Sequence, residues 1–289
     1  MWDFKILLLI FFILIAKISK ADFIALTFDD LPIQSNSKDP RKEYLINKKI
    51  LDYLEKHHAP AIGFVKESGI FFDDNFTERV KSLKLWADKG FELGNHSYSH
   101  FTLSQTDLDQ YQEDVLKGEK ISKPIMKSVN KEYKYFRHPY LDTGGSKEKR
   151  EKFEKFLKEK GYIIAPITMD FNDWRFNAEL LTQPKNKDQI IKNYLSYAET
   201  ILELNKQASI KIFGRNIKHI ALLHLNLLNS LALDDLLNLI ESYNYEFISL
   251  DDAMKDKAYC EKDEYYEAHG VSWLVRYAHT KNIPDINWR

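Results

Sequence analysis

Beyond residue 21 the chain alternates between short runs of β-branched and aromatic residues and longer stretches whose apolar positions recur at helical spacing. The runs Phe23–Phe28, Ala61–Val65, Phe91–Asn95, Tyr133–Arg137, Tyr162–Pro166, Lys218–Leu223 and Glu246–Leu250 predict seven strands. Between them Tyr44–His57, Thr77–Lys89, Asp107–Ser122, Lys147–Lys160, Lys187–Gln207 and Leu233–Ser242 predict helices. Alternation of this kind predicts an α/β fold with a mostly parallel sheet, and seven strands suggest a barrel one unit short of the eightfold design. In such barrels functional side chains gather at the C-terminal ends of the strands. Asp29, Asp30, His96, Arg137, Asp170 and His224 all fall at or just after predicted strand ends, so residues far apart in sequence are expected to converge on one face.

The N-terminus follows another pattern. Lys5 precedes the apolar run Ile6–Ala16, a short polar stretch follows, and Ser19 and Ala21 offer small residues before Asp22. This predicts a secretory signal peptide over residues 1–21, with Asp3 making its start less positive than usual. The run is shorter than the ~20 residues of a membrane span, and an uncleaved anchor is the alternative. Either way the remainder is expected outside the cytoplasm. Residues 22–257 are expected to form the catalytic domain, and the aromatic-rich residues 258–289 a helical extension packed on the barrel.

Composition narrows the choice of partner. The 289 residues carry 42 basic and 43 acidic side chains, a formal charge of −1, which argues against nucleic acid or a charge-driven membrane contact. Cys260 is the sole cysteine, so no intrachain disulfide forms.

The strand ends carry the candidate chemistry. Thr27-Phe28-Asp29-Asp30 closes the first strand with two carboxylates. Neighbouring strand side chains point in different directions, so one can bind a metal while the other faces the metal's water. In Asn95-His96-Ser97-Tyr98-Ser99-His100 the two histidines, four residues apart, are expected on one face of a helical turn. With Asp30 they make a His, His, Asp set that suits zinc and leaves a position open for water. Arg137, in Tyr135-Phe136-Arg137-His138-Pro139-Tyr140, can hold a buried carboxylate ionised, and a backbone N–H past Pro139 can serve an oxyanion. Asp170-Phe171-Asn172-Asp173-Trp174 adds two carboxylates and an aromatic wall, and Leu222-Leu223-His224 ends an apolar strand with a possible general acid. Singly, each has a plainer reading: a helix cap, a chance histidine pair, a structural ion pair, a core tryptophan, a core histidine.

Taken in order, the five segments resemble the motifs of the polysaccharide deacetylases, the NodB homology domain of carbohydrate esterase family four, and they span Thr27 to His224. The resemblance implies a distorted (β/α)7 barrel of the NodB type. It implies that Asp29 is the catalytic base and that Asp30, His96 and His100 bind a divalent metal, zinc before others. Arg137 would hold the base, the Tyr140 backbone N–H would bind the oxyanion, and Asp173 would orient the acid, His224. Trp174 would wall the pocket, and Leu222 would line the site of the acetyl methyl. The implied activity is hydrolysis of N-acetyl groups on N-acetylglucosamine-containing glycans, peptidoglycan or chitin-type, with an acetylated polysaccharide or oligosaccharide as substrate. An O-acetyl esterase acting on xylan-like polymers and a catalytically silent carbohydrate-binding protein are the competing readings. No nucleic acid and no stable membrane insertion after signal cleavage are expected. One departure stands out: Leu225-Asn226 follows the last histidine, where many relatives carry an acidic residue, and is expected to alter the floor of the cleft.

Overall fold

The computed structural model describes residues 21–35, 39–268 and 270–286. The apolar run on which the export signal rests, residues 6–16, lies outside them. Among the described residues no helix is long and apolar enough to cross a membrane.

Eight parallel strands form one sheet: β1 (Asp22–Leu31), β2 (Ala61–Val65), β3 (Glu92–Asn95), β4 (Tyr135–Phe136), β5 (Ile163–Ile164), β6 (Met169–Asp170), β7 (His219–His224) and β8 (Tyr245–Ile248). Seven follow one another in the order β5-β4-β3-β2-β1-β7-β6 and curl into an open half-barrel, the distorted (β/α)7 arrangement. β1 is long enough to serve three neighbours. Residues 22–25 pair with β8, those from Leu26 onward with β2, and the stretch Ile24–Asp29 with β7. β1 and β7 are covered on both faces, which explains their nearly unbroken apolar runs.

The helices are α1 (Pro40–Lys56), α2 (Phe76–Asp88), α3 (Leu108–Lys117), α4 (Ser122–Ser128), α5 (Lys147–Glu159), α6 (Asp173–Thr182), α7 (Lys187–Phe213), α8 (Leu227–Ser242), α9 (Leu250–Met254) and α10 (Trp273–Thr280). α1 starts where Asp39 accepts hydrogen bonds from the Arg41 and Lys42 amides and Pro40 presets the first turn. Its stripe of Ile46, Ile50, Leu51 and Leu54 shares a core with Leu233, Leu236, Leu237 and Ile240 of α8. Each such buried side chain contributes roughly 1.5–3 kcal/mol.

Three expectations need correction. The seven strands of the curl include β6, which its own residues do not signal, and exclude the run at 246–250, which forms β8 beside β1. β6 is only two residues long and exists through its pairing with β7, anchored where the Thr168 amide donates to the Ile220 carbonyl (2.8 Å). The helix expected over 107–122 is two helices, because Gly118 ends α3 and Glu67 starts α4 by accepting from the Ile121 and Ser122 amides (2.9 and 2.8 Å). The helical turn expected for residues 96–100 is an irregular loop, with Ser97 at φ 60° and His100 at φ 61°.

The two open edges of the curl, β5 and β6, are consecutive in the chain. Arg137 Nε donates to the Ala165 carbonyl (2.8 Å), and the Trp273 amide at the start of α10 donates to Ile167 (2.8 Å). The C-terminal segment therefore sits at the gap where a closed barrel would continue. Leu274, Val275, Tyr277 and Ala278 pack there with Ile167, Ala208 and Leu222. Asp263 Oδ2 fixes the approach to α10 by accepting from Arg276 Nε (2.6 Å) and Arg150 Nη2 (3.0 Å).

His219, buried at the start of β7, sits 2.8 Å from Asn216 Oδ1 and 3.1 Å from Thr168 Oγ1. Burial pushes its pKa down to about 3, against the pull of Asp22 and Asp256. The folded state keeps this ring neutral while the unfolded chain protonates it below its ordinary value of about 6.5. The group thus withdraws stability as pH falls from about 6.5 toward 3, by about 1.4 kcal/mol per pH unit. His219→Gln is expected to show a shallower drop in melting temperature between pH 6.5 and 4 than the parent. Parallel drops in circular-dichroism melts would count against this assignment.

Candidate active site

The sheet register lines up the strand ends. Asp29 lies opposite His224 across β1 and β7, Asp170 opposite Leu222, and Asn95 opposite Phe136, so that His96 and Arg137 leave their strands together. A cavity of about 330 Å³ opens over these ends, lined by Asp29, Asp30, His96, His100, Leu222 and His224, with Tyr140, Trp174, Gln34 and Gly270 among the residues around it. Arg137 and Asp173 are fully buried. They act on the cavity through Asp29 and His224.

Asp30, His96 and His100 converge so that one potential ligand atom from each lies within 4.8 Å of the others. The two Nε2 atoms are 3.2 Å apart, and His100 Nε2 is 3.5 Å from Asp30 Oδ1. Ligand atoms of a tetrahedral ion with bonds of about 2.0–2.1 Å are separated by about 3.3 Å, so the spacing fits. His96 Nδ1 is 2.8 Å from the Arg137 carbonyl, which can only accept. That contact places the proton on Nδ1 and leaves the Nε2 lone pair facing the cluster, the usual second contact of a ligating histidine. Burial pushes both rings down to about 4, keeping them neutral. Burial opposes ionisation of Asp30 as well, but His100, Lys66 and other neighbours outweigh it and hold the carboxyl below its usual range. Asp30 Oδ1 is buried without a hydrogen-bond partner among the described residues. Neutral imidazole nitrogens beside an ionised carboxylate oxygen that makes no hydrogen bond among these residues, with Lys66 3.8 Å away, can hold a divalent cation.

The loop that carries the histidines is fixed by side chains. Asn95 Oδ1 accepts from the Ser97 amide (2.7 Å), Ser97 Oγ from the His100 amide (3.0 Å), and Asp114 Oδ2 from Tyr98 and Ser99 (3.1 and 2.9 Å). These bonds replace the amide-to-carbonyl ladder of a helix. A Cβ on Gly118 would come within 2.5 Å of the Ser97 backbone, so only glycine lets the end of α3 pack here. Gly118→Val is expected to weaken divalent-metal binding roughly ten- to a hundredfold, the usual cost of disturbing what supports a ligand. Competition against a chromogenic chelator measures this, and unchanged affinity would show that the loop is held by other contacts.

Asp29 lies beside Arg137, whose Nη1 is 3.3 and 3.4 Å from its two oxygens. Arg137 itself is pinned by Thr27 Oγ1 (3.0 Å) and lies over the Phe64 ring. Burial nonetheless raises the pKa of Asp29, opposed mainly by Arg137 and His224, which makes it more basic than an exposed aspartate. Its Oδ2 is 3.6 Å from His96 Nε2, so this carboxylate borders the candidate metal cluster.

His224 Nδ1 meets Asp173 Oδ1 at 2.9 Å, and Asp173 Oδ2 also accepts from the His224 amide. Burial would make the ring neutral, but Asp173 first, then Asp30 and Asp29, overcome it and raise the pKa to about 9. The ring is therefore cationic at neutral pH. Two residues that the sequence reading did not assign hold this pair. Asn226 and Asn229 each donate from Nδ2 to Asp173 Oδ2 at 2.7 Å, and Asn226 also caps α8. The departure Leu225-Asn226 thus supplies a donor to Asp173. Tyr140 adopts φ 55° and its exposed ring lies against His100 (centroids 4.4 Å apart), while Trp174 stands half exposed at the rim. Lys66, 3.8 Å from Asp30, and Gly270 complete the surroundings. Gly270 has a legible reason to be glycine only in three dimensions: a Cβ there would lie 1.7 Å from the Tyr140 carbonyl oxygen.

With this geometry in view, the family profile described as polysaccharide deacetylase matches residues 16–162. The chain belongs to the polysaccharide deacetylases. The match contains the first three motifs, and the segments with Asp173, Trp174, Leu222 and His224 follow it. Peptidoglycan-N-acetylglucosamine deacetylase of Bacillus cereus is 28% identical over 152 residues, covering 53% of this chain and 46% of its own length. Peptidoglycan-N-acetylmuramic acid deacetylase of Bacillus subtilis is 27% identical over 210 residues, covering 72% of this chain and 66% of its own. The chain thus spans less than two thirds of the length of the curated relatives it matches. Among solved structures, a polysaccharide deacetylase of Bacillus cereus aligns with a TM-score of 0.56 at 20% identity, covering 79% of this chain and 91% of that one. A pseudoenzyme of carbohydrate esterase family four from Bacillus anthracis aligns equally well, TM-score 0.56 at 18% identity, over 82% of this deacetylase-family chain and 66% of that protein. At such identities the structures speak for the fold.

Proposed function

We propose that the protein is an exported, metal-dependent deacetylase that removes N-acetyl groups from N-acetylglucosamine-containing glycans, of peptidoglycan or chitin type. The observation that carries this reading is the presence, in one cavity with the Asp30, His96 and His100 cluster, of a buried basic carboxylate, Asp29, and a cationic histidine, His224. An amide needs both a base for the attacking water and an acid for the departing nitrogen.

Asp30, His96 and His100 would hold a divalent ion, with zinc suited to two imidazoles and one carboxylate. When bound, such an ion supplies Lewis-acid polarisation of the acetyl carbonyl and a more acidic water. Asp29 takes a proton from the attacking water, and Arg137 keeps its carboxylate in place. As the carbonyl carbon becomes tetrahedral, the Tyr140 N–H donates to the developing oxyanion. Leu222 contacts the acetyl methyl, and Trp174 packs against the sugar. His224, oriented by Asp173, gives its proton to the nitrogen as the carbon–nitrogen bond breaks, releasing acetate and a free amine. The residues whose loss would mark a silent relative, Asp29, His224 and the three cluster residues, are all present.

The test is acetate release by purified protein from chito-oligosaccharides, peptidoglycan fragments and acetylated xylan, with added zinc and after chelation. Release from the first two, lost on chelation and restored by metal, is expected. Release from xylan alone would make the protein an O-acetyl esterase, and release that survives full chelation would remove the metal from the reading.

A further inference from the structure

A second cavity, of about 340 Å³, adjoins the first and shares Leu141, Asp170 and Gly270 with it. The part of its wall not shared with the first cavity includes Tyr197, Ile201 and Asn205 of α7 and Val271 and Ser272, all outside the span matched by the family profile. The mechanism proposed above uses none of that wall.

The chemistry of the lining is specific. Asp170 Oδ1 accepts from the Asn172 amide (2.8 Å), which leaves its second oxygen to accept from a ligand. Asn205 Nδ2 gives one of its two hydrogens to the Ile201 carbonyl (2.8 Å), which leaves Oδ1 to accept and a second N–H to donate. The Tyr197 hydroxyl accepts from Asn172 Nδ2 (2.5 Å) and keeps its proton to donate, and Ser272 adds a hydroxyl. Leu141, Ile201 and Val271 supply apolar surface for the C–H face of a ring. Among the described residues no lysine, arginine or histidine lines the cavity, while one carboxyl does. Paired acceptors, hydroxyl donors and an apolar patch match a pyranose with free hydroxyls, and the volume suits a ring of that size. A carboxylate placed here would meet Asp170, while His224 and Arg137, the cations that act on Asp170, stand outside this lining.

We propose that this cavity is a subsite for an uncharged, hydroxyl-bearing sugar ring adjoining the sugar that loses its acetyl group, and that it discriminates against rings bearing a carboxylate. The inference rests on the deacetylase reading and sharpens it toward glycans whose neighbouring ring lacks a lactyl acid.

Calorimetry on the full chain carrying Asp29→Asn, which is expected to bind without turnover, tests it with two probes: chitotetraose, and a peptidoglycan tetrasaccharide with free lactyl carboxylates. Chitotetraose is expected to bind at least tenfold more tightly. Ser272→Phe, which fills the cavity, and the milder Tyr197→Phe are each expected to weaken chitotetraose binding, the first tenfold or more. Melting curves check that both variants fold. Unchanged affinity in a folded Ser272→Phe, or tighter binding of the carboxylate-bearing glycan, overturns the subsite. The two readings fail separately: absence of acetate release by the unaltered protein from every acetylated sugar would sink the deacetylase reading, whereas the binding data alone decide the subsite.

Discussion

Replacing Asp29 by asparagine is expected to lower acetate release by ~10²–10⁴-fold, the range over which a positioned general base acts. The substitution keeps shape and volume but removes a buried carboxylate that touches both Arg137 and the His96 edge of the cluster. Metal content is expected to stay near that of the parent, because Asp30, His96 and His100 are untouched. The measurement pairs kcat on a chito-oligosaccharide with metal analysis of the same sample. A variant that keeps more than a tenth of the parent rate with full metal would assign the base elsewhere, and Asp170, raised to about 6 by burial, would be the next carboxyl to test.

His96→Ala is expected to act one step earlier. It removes a neutral nitrogen whose orientation is set by the Arg137 carbonyl, leaving His100 and Asp30 as two donors. Metal affinity is expected to fall by at least a hundredfold, more than the roughly 10–100-fold that follows from disturbing a supporting contact. Activity should fall with it and return in part at high metal concentration. If purified His96→Ala holds one equivalent of metal with the parent's affinity, these three residues are not the ligands. Taken together, the two variants separate loss of the base from loss of the ion.

Much of this arrangement was legible in the sequence because strand ends carry short, residue-specific patterns. Asp29, Asp30, His96, Arg137 and His224 each follow an apolar run, and the parallel register then levels them. What escaped the sequence depends on contacts between distant segments. The two-residue β6 has no propensity signal of its own and follows from hydrogen bonds to β7. The i, i+4 spacing of the histidines suggested a helix, but Asn95, Ser97 and Asp114 capture the amides a helix would need. Asn226 was visible as a departure, yet its use depends on Asp173 lying 53 residues earlier in the chain. The helical segment Arg175–Ile217 could be expected to shape the substrate groove, but Gly270 could not be tied to the site until the fold placed it there.

The position of Gly270 against the Tyr140 carbonyl has a consequence for the order of events in folding. The site draws on residues from 29 to 270, so the catalytic face is built almost wholly from long-range contacts. Closing such loops costs entropy before any contact repays it, and topologies of this kind fold slowly. A chain emerging from its N-terminus can form β1, β2 and β3 early, bringing Asp30 near the histidine loop while Asp173 and His224 are still absent. On the proposed assignment the acid–base pair needs β7 and α8 in place, so a chain truncated before His224 would keep Asp30, His96 and His100 without the residue proposed as the acid.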